Sequence, residues 1–110
     1  MRNLVELEGI IIKEVVTGAD RTDFLLMVRS SENEDDNCAY IPCYTKGNNP
    51  FQLKMLQSVN IHGCLECRRV YVSEQHINVP NAITIHKDNG SYMIVQEVCV
   101  ETLSVLSDED

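Results

Sequence analysis

Tryptophan is absent, and the aromatic residues amount to two phenylalanines and four tyrosines. A core built from this sequence therefore has to be mostly aliphatic. No apolar run reaches the roughly 18 residues that a membrane-spanning helix needs, so no membrane partner is expected. The start, MRNLVELEG, alternates through Glu6 and Glu8 instead of leading into a long hydrophobic stretch, and a signal peptide is not expected. The five cysteines are odd in number and irregular in spacing. They lack the pattern of a secreted disulfide framework, and a reducing, cytoplasmic setting fits them better. There is no glycine-rich phosphate loop. His62, His76 and His86 are scattered, with no serine or cysteine in a recognisable catalytic order. An enzymatic role is not expected.

A formal net charge of −8 argues against a polyanionic partner, but its distribution weakens that exclusion. Glu32, Glu34, Asp35, Asp36, Asp108, Glu109 and Asp110 supply seven of the 17 acidic residues, leaving ten against nine basic ones. The body of the chain is close to neutral, so a local basic groove is compatible with it. Any phosphate binding should be modest and salt-sensitive.

The 110 residues suffice for one domain with a single core. Its organising stretch is Val59 to Arg68, VNIHGCLECR. Val59, Ile61, Gly63, Leu65 and Cys67 share one parity, while Asn60, His62, Cys64, Glu66 and Arg68 share the other. Period two over ten residues predicts a half-buried strand. A glycine on its buried face predicts a bend such as a small closed barrel needs. Leu4 to Val16 repeats the signature, with Val5, Leu7, Gly9 and Ile11 inward and an outer face that turns apolar at Ile10 and Ile12.

Thr22 to Ser30 predicts a second strand with Phe24, Leu26 and Val28 inward. Ser31 to Asn37 is a polar hairpin connection. Ala39 to Thr45 predicts a third strand, Ile41, Cys43 and Thr45 on one side and Tyr40, Pro42 and Tyr44 on the other. Pro42, lacking an N–H, belongs at an edge or beside a gap. Asn49-Pro50 is a helix start, cap then first turn. The helix would be about two turns long, bury Phe51, Met55 and Leu56, and plug one end of the barrel. Asn89-Gly90 predicts a hairpin turn, and Tyr92 to Leu106 a long last strand bulged near Gln96-Glu97. The order β-β-β-α-β-β predicts an all-β, five-stranded OB-fold barrel with one short helix between strands 3 and 4. It would occupy residues 1–106, with 107–110 a short acidic, disordered tail.

Four segments resemble the bacterial single-stranded DNA-binding protein family, and more distantly the single-OB primosomal replication-restart proteins. They are Leu7-Glu8-Gly9-Ile10-Ile11, Phe24 to Arg29, Tyr40 to Gly47, and Val59 to Arg68. Their order and spacing carry the likeness over nearly the whole chain. Lys46 stands where the family has an aromatic residue, and the family's stacking tryptophans and long linker before an acidic tip are missing. The resemblance therefore implies an accessory, mobile-element or phage-like version in place of a general genome protector.

Binding unpaired nucleotides without sequence preference needs cations along the phosphates and flat rings for the bases. Tyr40, Tyr44 and Lys46 project from the third strand's outer parity, with Arg29 and Arg68 from the second and fourth. Lys13, Arg69, Tyr71, Lys87 and Tyr92 could join from strand ends and loops. Any one of these is also what a solvated sheet face carries. Leu4, Ile10 and Ile12 are candidates for a self-association surface, giving a dimer or tetramer through the first strand. Cys64-Leu65-Glu66-Cys67 has CxxC spacing, which suits a zinc site or a redox pair. Residues three apart on a strand diverge, however, and no further ligand pair accompanies them, so Cys67 and Cys43 read as small core residues. No metal or other cofactor is expected.

Two functions remain open. One is non-sequence-specific binding of single-stranded DNA, accessory to replication, recombination or mobile-element transfer. The other is an OB-fold protein–protein interaction module with little nucleic-acid affinity, which the acidity and the missing tryptophans would suit.

Overall fold

Alternating burial decides how the strands face, and glycine decides where they bend. The computed structural model describes residues 3–29, 38–71, 83–87 and 90–108. Among these the regular elements are all strands: β1 (Val5–Ile11), β2 (Val16–Thr17), β3 (Arg21–Arg29), β4 (Cys38–Lys46), β5 (Gln57–Tyr71), β6 (Ile83–Lys87) and β7 (Gly90–Asp108). β1 pairs antiparallel with both β3 and β5. β3 pairs with β4, β4 runs parallel to β7, and β7 returns antiparallel to β5. The path β1-β3-β4-β7-β5 thus closes on itself in a five-stranded barrel of OB topology. β2 and β6 are additions at its rims, on β3 and β7 respectively.

The core follows the predicted parity. Ile11, Phe24, Leu26, Cys43, Val59, Ile61, Val98 and Val100 are buried, and Val5, Leu7, Val28 and Ile41 pack against them. Both kinked strands bend at their glycines. A Cβ on Gly9 would lie 2.3 Å from the Met27 carbonyl oxygen, and one on Gly63 only 1.9 Å from that of Cys99. Neither position has room for a side chain. Pro42 sits just before Cys43 and Tyr44, the two residues through which β4 meets β7. That placement agrees with a residue unable to donate to a ladder.

Several expectations need correction. The segment 47–56 forms turns, not a helix. Asn49 has a positive φ of 48°, as do Gln52 and Leu56 at 54° and 73°, and helix cannot pass through such residues. The Asn49 amide does not cap a first turn. Its Oδ1 accepts from the Leu53 N–H at 2.7 Å and its Nδ2 donates to the Leu53 carbonyl at 3.0 Å. Leu53 is the residue that enters the core, beside a half-buried Phe51, while Met55 and Leu56 stay exposed. Thr22 holds the loop from β3: its hydroxyl donates to the Gly47 carbonyl at 2.8 Å and accepts from the Asn49 N–H at 2.6 Å.

Leu65 and Cys67, expected inside, are exposed. β1 pairs with β5 only from Ser58 to Gly63, so beyond Gly63 β5 runs on past the strand beside it in the barrel. The first strand also stops short of Val16, at Ile11; Val16 and Thr17 form β2 against β3. The last strand bulges elsewhere than expected. Pairing between β5 and β7 is unbroken from Leu65 to Tyr71, and its shifts pass over Glu101 and Leu106. Alternation slips at 97–100 because both faces there are covered, Val98 and Val100 by the core and Glu97 and Cys99 by outer-face side chains. Lys87 pairs with Gly90 across the β6–β7 turn, and the connecting residues 88–89 lie outside the described residues. So do the acidic connection 30–37 and residues 109–110. β7 itself runs to Asp108, two residues into the segment expected to be a tail.

Candidate nucleic-acid interface

Register alone assembles a continuous outer sheet face. On β3 it carries Arg21, Asp23, Leu25, Met27 and Arg29; on β4, opposite these, Lys46, Tyr44, Pro42, Tyr40 and Cys38. The parallel pairing sets Tyr44 beside Cys99 of β7, and the β5–β7 ladder sets Cys99, Glu97 and Val95 opposite Cys64, Glu66 and Arg68.

The middle of this face is a hydrogen-bonded charge network around Glu97. That carboxylate is only 3% exposed, and a charge so placed needs paired donors. Arg21 Nη2 reaches one of its oxygens at 2.8 Å, and Arg68 Nε donates at 3.1 Å and 3.3 Å. Arg21 also grips Asp23, with Nη2 at 2.6 Å and Nε at 3.2 Å. Burial alone would lower the Arg21 pKa, but the hydrogen bonds and charges of Asp23 and Glu97 raise it above its ordinary value. The guanidinium stays charged and lies over the Tyr44 ring, 3.9 Å from its centre, a cation–π contact. The Tyr44 hydroxyl donates to Glu66 Oε1 at 2.5 Å. Its hydrogen bond with the Cys99 thiol, then the one to Glu66, push the phenol pKa well up, so it remains a neutral donor. Cys43, on the opposite face of β4, is pushed up to about 12, first by burial and then by the Glu97 charge. As a thiol it is inert packing.

Of the residues singled out by sequence, Arg29, Tyr40, Tyr44, Lys46 and Arg68 share this face. Tyr44 and Arg68 belong to its central network, and Tyr40 and Lys46 lie exposed on it. Arg69 alternates to the other side of β5, and Lys13 sits exposed in the bend between β1 and β2. Tyr71 pairs with Tyr92 across β5 and β7, in the region where β6 adds a third strand. The side chains of Tyr71, Lys87 and Tyr92 lie outside the described residues. On the self-association side, Leu4 is 77% exposed, whereas Ile10 and Ile12 are half-buried. Ile10 lines an open groove of about 850 Å³ with Met27, Arg29 and Leu106.

Arg21, Asp23 and Glu97 were not read from the sequence. Arg21 lies just ahead of the expected second strand, and Glu97 lies in the expected bulge. The only signal was a carboxylate at Glu97 flanked on its own parity by Met93, Val95 and Cys99.

No family model matches the sequence, and no curated protein does. The backbone, in contrast, is similar to a solved structure of Plasmodium falciparum SSB in complex with ssDNA. The TM-score is 0.65 over 97% of this chain and 97% of that one, at 15% sequence identity. At so low an identity the likeness shows the fold, an OB barrel.

Proposed function

We propose that this barrel binds single-stranded DNA without sequence preference, along the outer face of β3, β4, β7 and β5, in an accessory role in replication, recombination or mobile-element transfer. The observation that carries the reading is the convergence on one sheet face of two tyrosine rings with Arg21, Arg29, Lys46 and Arg68. Rings offer stacking surfaces that every base can use, and cations spread along the strands follow a phosphate backbone. The fold's similarity to an SSB solved with ssDNA supports the same reading. The chemistry is binding alone, with no catalytic role, and exposed Leu4 with half-buried Ile10 and Ile12 at the two ends of β1 is the observation behind assembly of a dimer or tetramer.

Asp23, Glu66 and Glu97 lie among the cations, so only part of the positive charge is open to phosphate. Binding should therefore be moderate. In a fluorescence-anisotropy titration with oligo-dT at about 50 mM salt, Kd should fall below about 100 μM, within or better than the range of non-specific association. Engagement of two or three phosphates should give a log–log salt slope of about −1.4 to −2.1, at roughly −0.7 per contact for single strands. No binding at about 100 μM protein would favour the second reading, a protein-interaction module, for which the buried Glu97 and its acidic neighbours are the supporting observation.

A further inference from the structure

Cys64 and Cys99 are register partners on adjacent antiparallel strands and point to the same face. Such partners have Cα atoms about 4.5–5.5 Å apart, inside the roughly 4.4–6.8 Å range that a disulfide spans. The backbones are also drawn together here: the register shift falls between His62 and Gly63, immediately before Cys64, and Gly63 closes against the Cys99 carbonyl. No other cysteine pair shares both face and register. Cys43 is turned into the core, Cys67 is exposed opposite Gln96, and Cys38 faces Arg29 at the far end of β4. Cys64 is partly exposed and Cys99 is 7% exposed, which supplies an accessible thiol and a sheltered resolving one.

We infer that Cys64 and Cys99 form a redox-sensitive dithiol that closes to a cross-strand disulfide on reaction with a small-molecule disulfide such as oxidised glutathione. The Cys64 thiolate attacks one glutathione sulfur, breaking its S–S bond and releasing one glutathione thiolate. The Cys99 thiolate then attacks Cys64 Sγ, forms the protein S–S bond and releases the second glutathione. Two protein thiols are oxidised, one glutathione disulfide is reduced to two thiols, and the two protons lost by the protein are taken up by the two glutathiones. Two side chains already stand at the reacting sulfurs: Cys64 Sγ donates to Glu66 Oε2 at 3.9 Å, and Tyr44 is the register neighbour of Cys99 on β4. Closure of the bond removes the Cys64 thiol's contact with Glu66 from the centre of the outer face.

The test does not depend on DNA binding. The full chain is equilibrated under native conditions with oxidised and reduced glutathione at about pH 9, above the ordinary thiol pKa, because desolvation and then the charges of Cys99, Glu66 and Glu101 raise that of Cys64. Remaining thiols are then alkylated and the digest is analysed by mass spectrometry. The expected product is a peptide linked Cys64 to Cys99, reversible by dithiothreitol, retained in Cys67→Ser and Cys38→Ser and lost in Cys64→Ser. Recovery of Cys64 and Cys99 as alkylated thiols, arrest of Cys64 as a glutathione adduct, or a scrambled set of linkages would each overturn the inference.

Discussion

Gly63→Ala is expected to cost about 3 kcal/mol or more of folding stability, at or beyond the upper end of ordinary overpacking. A new Cβ would stand 1.9 Å from the Cys99 oxygen, 2.9 Å from its carbonyl carbon and 3.1 Å from the Val100 Cα. All three are backbone atoms, so no side-chain rotation relieves the clash. β5 and β7 would have to separate where they carry both the core and the outer face. Against a typical total of about 5–15 kcal/mol, the change should lower the urea midpoint sharply in circular dichroism. Gly18→Ala is the matched control. Its Cβ would meet only the Arg21 oxygen at 3.2 Å, in an exposed turn, and its midpoint should stay near that of the wild type. A Gly63→Ala protein as stable as the Gly18→Ala one would refute the close-approach account of the barrel.

Tyr44→Ala should weaken oligo-dT binding by about 5- to 150-fold, the equivalent of the roughly 1–3 kcal/mol that a base–aromatic stack contributes. Tyr44→Phe should retain most of the affinity, because it keeps the ring under Arg21 and loses only what the hydroxyl bonds, Glu66 above all. Glu97→Gln should move affinity the other way. Glu97 neutralises Arg21 and Arg68, so removing its charge leaves two guanidiniums more available to phosphate. Tighter binding with a steeper salt dependence is expected. Equal affinity of the Ala and Phe variants at position 44 would remove stacking from the mechanism.

The glycine-kinked strands were legible because period two survives any tertiary context in which one face is buried. Gly9 and Gly63 lay on the buried parity, and in the fold each touches a neighbouring backbone. The same parity placed Tyr40, Tyr44 and Arg68 outward, as observed. Parity says which side a residue faces, though, and not whether a wall stands opposite. Leu65 and Cys67 have inward parity but lie past the last residue of β5 that pairs with β1. The predicted helix failed for a local reason. A helix of about two turns is marginal in isolation, and here the Asn49 amide bonds Leu53 while positive φ angles interrupt the segment. The Glu97 network was invisible because it is long-range: Arg21 and Glu97 are 76 residues apart, and Arg68 and Glu97 are 29 apart. Only closure of the barrel brings them together.

The central claim, that unpaired DNA lies across the outer face of β3, β4, β7 and β5, is tested most directly by amide chemical-shift mapping during an oligo-dT titration. The account predicts perturbations at Tyr40 to Lys46, Cys64 to Arg68 and Val95 to Cys99, saturating with the affinity found by anisotropy. Shifts confined to β1 or to the 47–56 loop, or none at saturating oligonucleotide, would contradict it.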